Sequence, residues 1–218
     1  MNNIPIVFLI MNCYKYQQKA QIQKASWLKD FPDNIYYYHV LGDIQKCNEE
    51  NSEYIFDNNQ QILYVKTEDD YNSLPHKVIS SFEAVHKEFN YSYIFKTDDD
   101  QMLMDKSLLY KLPGYLNENT YHHYGGFIMK IEEHNSQYYQ VHNCLPKDII
   151  LKKCSYSNGR FYFLSRKAIE NLLPKKEEIS THYIEDHAIG YYLDEMYKEK
   201  MLFIHSNKIF KDIIIQNN

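Results

Sequence analysis

Tyr93-Ile94-Phe95-Lys96-Thr97-Asp98-Asp99-Asp100 decides how this chain is read: a short apolar, strand-like run stops abruptly in a lysine, a threonine and three consecutive aspartates. Adjacent carboxylates repel one another, so the triplet costs stability unless a cation or surrounding donors offset its charge. A doubly charged, oxygen-rich site suits Mg2+ or Mn2+, which keep several waters and complete their shells with phosphate oxygens. On an extended backbone Asp98 and Asp100 point the same way and Asp99 is left as a supporting group. Spacing alone is weak evidence, because a bare run of aspartates is also a solvated acidic turn or a helix cap.

Working outward, the segment before this strand, Leu74 to Phe89, carries Val78, Ile79, Phe82 and Val85 at helical spacing, with Pro75 tolerated in a first turn. Ile4 to Met11 is a continuous apolar run of strand length. Tyr14 to Asp30 follows as a helix with Ala20, Ile22, Trp27 and Leu28 inward, and Ile35 to Leu41 and Gln61 to Val65 are strands. The polar stretch Asp43 to Asn59 is expected to be a surface loop. Downstream, Phe127 to Ile131, Phe161 to Leu164 and Met201 to Ile204 are strands, and Lys167 to Leu172 and Asp186 to Tyr197 helices. This alternation predicts an α/β layer structure with a mostly parallel sheet, whose ligands collect beyond the carboxyl ends of the strands. The acidic triplet sits at such an end.

Composition narrows the function classes. The 218 residues carry 24 Lys plus Arg against 29 Asp plus Glu, a net charge of -5, with 44% hydrophobic and 16% aromatic residues. That is enough for one folded domain, taken here as residues 1–218, and no linker or repeat divides it. No basic block is present to neutralise phosphates, which argues against a nucleic-acid partner. Cys13, Cys47, Cys144 and Cys154 lack the close pairs of a zinc site and are too few for a disulfide scaffold, so a reducing compartment, the cytoplasm, is expected. Ile4 to Met11 is too short to span a bilayer and lacks the flanks of a signal peptide.

Five separated segments add a family resemblance. Tyr93 to Asp100 resembles the strand and metal motif of the β-1,3-galactosyltransferase and fringe superfamily, in which hydrophobic residues precede KTDDD. Asp69, Tyr71, Leu74 and Lys77 resemble its D-x-Y-x-x-L-x-x-K pattern, and Lys24-Ala25-Ser26-Trp27 its R-x-T-W with two substitutions. Tyr156, Gly159, Tyr162, Leu164 and Ser165 are similar to its small-residue, Tyr-x-Leu-Ser segment, and Glu185-Asp186-His187-Ala188-Ile189-Gly190 to its E-D-x-x-x-G. Phe161 stands where the family usually has a second Gly, so a reshaped acceptor surface is expected there. With no anchor or stem, and Arg only at 160 and 166, the chain looks more like a viral or microbial relative.

The resemblance implies a GT-A-type α/β/α sandwich and an inverting, metal-dependent transferase that moves a hexose or N-acetylhexosamine from a UDP-sugar to a glycan hydroxyl. It implies Asp100 as a direct ligand of Mn2+ or Mg2+, Asp98 and Asp99 on ribose or metal-bound water with Asp98 also near the metal, and His205, beyond a late strand, completing the shell. Asp186 is the expected general base; read alone, an acidic pair before a helix is only a cap. Gly159 and Glu185 are expected on the donor sugar. Asn12 follows the first strand, where a base or ribose docks in such sheets. Lys24 is expected near the diphosphate, and Asp69 with Lys77 as a nucleotide-side or structural pair. Phosphoryl transfer fits less well, since the aspartyl phosphatase pattern follows a first strand. A degenerate sugar- or nucleotide-binding module of the same fold is the other alternative.

Overall fold

The computed structural model describes residues 5–116 and 122–214. Ile4 therefore lies outside the described residues. The chain runs β1 (Ile6–Met11), α1 (Gln17–Ala25), β2 (Ile35–Gly42), α2 (Ile44–Glu49), β3 (Tyr54–Asp57), β4 (Ile62–Val65), α3 (Leu74–Glu88), β5 (Tyr93–Asp98) and β6 (Gln101–Leu103). It continues through α4 (Leu108–Tyr115), β7 (Tyr124–Ile131), β8 (His134–Asn135), β9 (Ile150–Leu151), β10 (Cys154–Ser165), α5 (Arg166–Leu172) and α6 (Lys176–Ser180). The last elements are α7 (Glu185–Tyr192), β11 (Leu202–Phe203), α8 (Ser206–Ile209) and β12 (Phe210–Asp212).

Eight strands form one sheet in the order β11-β7-β10-β5-β1-β2-β4-β3. β5, β1, β2 and β4 are mutually parallel, β10 and β3 run against them, and β7 and β11 return to the common direction. The sheet is thus mostly parallel and mixed at its two sides. β1 is apolar at every position because it is covered on both faces: Val7, Leu9 and Met11 join one core, Ile6, Phe8 and Ile10 the other. The first core packs Val78, Ile79, Phe82 and Val85 of α3 with Ala168 and Ile169 of α5 and Ile189 of α7. The second holds Trp27, Leu28, Phe95, Leu109, Phe161, Phe163 and Phe210. Truncating a fully buried ring such as Phe82 to Ala would cost about 3–5 kcal/mol.

Several sequence expectations are corrected here. Asp43 to Asn59 is not a loop: Asp43 caps α2 by accepting from Lys46 N–H, Cys47 is buried, and β3 extends the sheet edge. The helix expected through Tyr197 ends at Tyr192, because Leu193 is extended at φ −71°, ψ 125°. α1 stops at Ala25, so Trp27 and Leu28 reach the core from a short turn rather than a helix face, and Gln23 takes an inward helical position instead. Phe161 does not reshape an exposed surface. Its ring is fully buried against Phe95 and Phe210 in the second core.

Candidate active site

The triplet lies just past a central strand. β5 pairs with β1 as far as Met11↔Asp98, Asp99 and Asp100 make a turn, and β6 leaves at Gln101. The turn breaks the alternation expected of an extended run. Asp99 is the buried member, its N–H donating to Met11 O at 2.9 Å, and Asp98 and Asp100 are partly exposed. β12 closes the far side: Asp212 pairs with Gln101 and Ile213 N–H donates to Asp100 O.

Lys96, two residues before Asp98 and so on the same face of the strand, is the hub. Its ammonium is buried and donates to Asp98 Oδ1 (2.8 Å), Gly159 O (2.9 Å) and Glu185 Oε2 (3.0 Å). The other Glu185 oxygen accepts from Tyr162 Oη–H. Burial by itself would lower Lys96, but the Asp98 and Glu185 carboxylates hold it well above the ordinary lysine range, so it is charged.

Gly159 reaches this hub because β10 is irregular. Its register against β7 shifts between Ser157 and Tyr162, which swings the Gly159 carbonyl to Lys96 and its N–H to Asp186 Oδ2 at 2.8 Å. A Cβ at Gly159 would sit 3.4 Å from both Asp186 Oδ2 and Lys96 Nζ. Asp186 Oδ1 accepts from His187 N–H at 2.8 Å. Helix α7 can carry Asp186 this close to the sheet because Gly190, one turn on, lies against Tyr156: a Cβ there would meet Tyr156 Cβ at 2.2 Å. Burial pushes Asp186 above the usual carboxylate range, against the pull of Lys96 and the two N–H donors.

The amino-terminal side is a second polar cluster. Lys77 donates to Asp69 Oδ1 (2.5 Å) and Asn12 O (2.9 Å), and Asp69 also accepts from Gly42 N–H (2.9 Å) and Tyr14 N–H (2.7 Å). The Asp69–Lys77 pair is therefore buried, not a surface pairing. Asn12 uses its side-chain oxygen on Cys13 N–H. A cleft of about 580 Å³ opens beside this cluster, lined by Gly42, Asp43, Asn48, Thr67, Glu68 and Asp69. On the opposite side, a cleft of about 340 Å³ is lined by Ile149, Leu151, His182, Tyr183, Ile184 and His187. Tyr71, stacked on His142 at 4.0 Å, and Tyr138 and Tyr156 are raised by burial and feel the Asp186 charge.

Two expected residues are not brought to the cluster. Lys24 donates to Gln60 O, in the turn between β3 and β4, at 2.5 Å. The α1 cation beside the triplet is instead Lys19, five residues earlier, 3.7 Å from Asp99 Oδ1 and 4.0 Å from Asp100 Oδ2. His205 follows its strand as expected, but β11 is two residues at the sheet edge and the exposed imidazole lies against Phe127 and Phe203. Among the described residues no three His, Cys, Asp or Glu side chains are gathered as a metal site, so His205 is not placed with the triplet. Lys19, Lys96 and Gln23, whose buried amide reaches the turn, are the residues that sequence reasoning missed.

The donor chemistry of the turn suits a hard divalent cation. Among the described residues Asp69, Asp98, Asp99, Asp100 and Glu185 pair with Lys19, Lys77 and Lys96, Asp186 is held by backbone N–H groups, and burial pushes Asp99 up to about 7 against Lys19. An excess of carboxylate oxygen remains for an oxygen-seeking ion.

Fold and site together define an α/β protein with an acidic turn and a separate buried carboxylate at its carboxyl-end edge. The sequence profile of the Galactosyltransferase family matches residues 17–205, and the chain belongs to this family of glycosyltransferases. No curated protein matches the chain. Similar solved structures include the galactosyltransferase LgtC in complex with donor and acceptor sugar analogs (12% identity, 92% of this chain, 73% of that one, TM-score 0.49), and a glycosyltransferase involved in glycosylation of the major capsid of PBCV-1 (11% identity, 92% and 82%, TM-score 0.48). Among the described residues no helix is long and apolar enough to cross a membrane.

Proposed function

We propose that the chain transfers a hexose or N-acetylhexosamine from a UDP-sugar to a hydroxyl of a glycan or glycoprotein acceptor, with inversion at the anomeric carbon and with Mn2+ or Mg2+. The observation that carries this reading is the Lys96 hub, which joins Asp98 of the acidic turn to Glu185, the neighbour of Asp186 and 89 residues beyond Lys96 in sequence. A charge-bearing turn and a buried base candidate are thus held on one frame.

Asp98 and Asp100 would hold the ion with waters and diphosphate oxygens; when bound, it supplies a Lewis acid for the departing diphosphate. Lys19 lies beside Asp99 and Asp100, where a diphosphate would meet it, and offsets the remaining charge. The nucleoside occupies the cleft at the ends of β2 and β4, with Tyr14 at its edge and the Asp69–Lys77 pair fixing Asn12 and Gly42. Asp186 accepts the proton of the attacking hydroxyl, and Gly159 N–H and His187 N–H hold its two oxygens in place. Each oxygen keeps a further lone pair for that proton. Tyr71 and Tyr138, which are not buried, form the rim an acceptor sugar meets, suited to ring stacking and hydroxyl contacts.

Calorimetric titration with UDP tests the donor half. Binding should require Mn2+ or Mg2+ and vanish with chelator; affinity for UDP that is indifferent to divalent ions would contradict it. One observation favours the alternative of a binding module without turnover, namely that both Asp186 oxygens already serve backbone donors, as a purely structural carboxylate would. That alternative predicts UDP-sugar affinity with no UDP release.

A further inference from the structure

Gln23 is a polar side chain in a position where α1 faces the sheet, and it is fully buried. Its amide nitrogen donates to Gln101 O at 2.9 Å and Asp98 O at 3.1 Å, the carbonyls on either side of the Asp99-Asp100 turn. Its oxygen lies 2.9 Å from His39 Nε2 on β2. His39 is itself buried, and among the described residues its Nδ1 has no partner, so the ring is the neutral tautomer that donates from Nε2 to Gln23. Both amide hydrogens and the amide oxygen are thereby assigned. Flipping the amide would set its oxygen against two carbonyls and its NH2 against an N–H donor.

The turn needs such a clamp. Pairing of β5 with β1 ends at Asp98 and with β10 at Thr97, so the backbone leaves the sheet where the carboxylates must be presented. Asp99 N–H on Met11 O and Ile213 N–H on Asp100 O hold the middle of the turn, and Gln23 holds its two ends. An apolar residue of similar size would pack against the sheet equally well but would leave two buried carbonyls without that donor.

We propose that Gln23, oriented by His39, is a positioning residue that fixes the acidic turn in the conformation that binds a divalent ion with the diphosphate of the donor. It acts through the Asp98 and Gln101 carbonyls and touches neither donor nor acceptor. The inference rests on the transferase reading above and adds a part of the donor site on the helical layer.

The test compares wild type, Gln23→Met and His39→Leu. Met keeps the length of the side chain without its donors; His39→Leu removes only the group that orients the amide, and serves if Gln23→Met does not fold. Four measurements are made: Mn2+-dependent UDP affinity by calorimetry, hydrogen exchange of the 98–103 segment in metal-free protein, global unfolding, and steady-state kinetics giving KM for donor and acceptor. Positioning predicts at least tenfold weaker Mn2+·UDP binding by Gln23→Met and a smaller loss for His39→Leu. It also predicts faster exchange confined to residues 98–103, and a raised KM for donor with the acceptor KM unchanged. Folded variants that bind Mn2+·UDP as tightly as a wild type that does bind it, or whose exchange rises uniformly with lost global stability, would overturn the role. A wild type that binds no nucleotide would overturn the transferase reading instead, and the exchange pattern would still show whether the amide clamps the turn.

Discussion

Asp186→Asn separates proton transfer from binding. The side chain keeps its volume, but one carboxylate oxygen becomes an NH2, which must face either Gly159 N–H or His187 N–H, each now 2.8 Å from an oxygen. A buried donor facing a donor costs about 1–3 kcal/mol. A second effect opposes it. Burial raises the folded-state pKa of Asp186, so its contribution to stability falls as pH climbs from the unfolded carboxylate value through the folded one. Above both values the ionised group is a net cost, and the neutral amide removes it. The fold should therefore survive with a loss of no more than about 3 kcal/mol, or roughly 6–12 °C in Tm for a domain of this size. Transfer should fall by about 10²–10⁴-fold, a rise of roughly 3–5 kcal/mol in the barrier, since the acceptor proton has no base. Initial rates of acceptor glycosylation well below Tm, alongside Mn2+·UDP calorimetry, give both halves of the comparison. Turnover within about threefold of wild type in folded Asp186→Asn, or a product that retains the donor anomer, would refute the reasoning.

Asp100→Ala should abolish Mn2+-dependent turnover and weaken Mn2+·UDP binding while leaving unfolding within about 0.5 kcal/mol of wild type, because the carboxylate is partly exposed; unchanged Mn2+-dependent affinity would exclude it as a ligand. Lys96→Met leaves Asp98, Glu185 and Asp186 without their shared cation and should cost about 3–5 kcal/mol in chemical denaturation; a loss under about 1 kcal/mol would contradict the hub. His39 is lowered by burial to about 3 and stays neutral in the fold, while in the unfolded chain it takes a proton below the ordinary histidine value. Stability should therefore fall as pH drops from about 6.5 toward 3, by roughly 1.4 kcal/mol per pH unit from this group. Urea unfolding of His39→Gln at pH 7 and pH 5 should show a correspondingly shallower decline, and an unchanged slope would show that His39 is protonated in the fold.

The sheet was legible wherever burial imposes a pattern. β1 is apolar without interruption because both its faces are covered, and α3 shows Val78, Ile79, Phe82 and Val85 because one face packs on the first core. The residues 43–59 were not legible: α2 buries Cys47 alone and β3 is half-buried throughout, so neither leaves the periodicity that betrays longer elements. At the candidate site, the triplet, Asp69, Lys77, Gly159, Glu185 and Asp186 were named through motif resemblance, and their contacts came only from the structure. Lys19 and Gln23 escaped because polar residues on a short helix read as its solvated face, and only the packed sheet reveals that this face meets the acidic turn. Lys24 and His205 were named through the resemblance, and the side chain of Lys24 reaches the β3–β4 turn while that of His205 lies at a two-residue edge strand.

The central claim is sugar transfer from a nucleoside diphosphate donor, and release of UDP from a panel of UDP-sugars, with Mn2+ and with chelator, tests it most directly. At least one UDP-hexose or UDP-N-acetylhexosamine should give slow Mn2+-dependent UDP release without acceptor, lost in Asp100→Ala and strongly reduced in Asp186→Asn. No release from any sugar of the panel, with or without glycan acceptors, or release equal in chelator, would contradict the account.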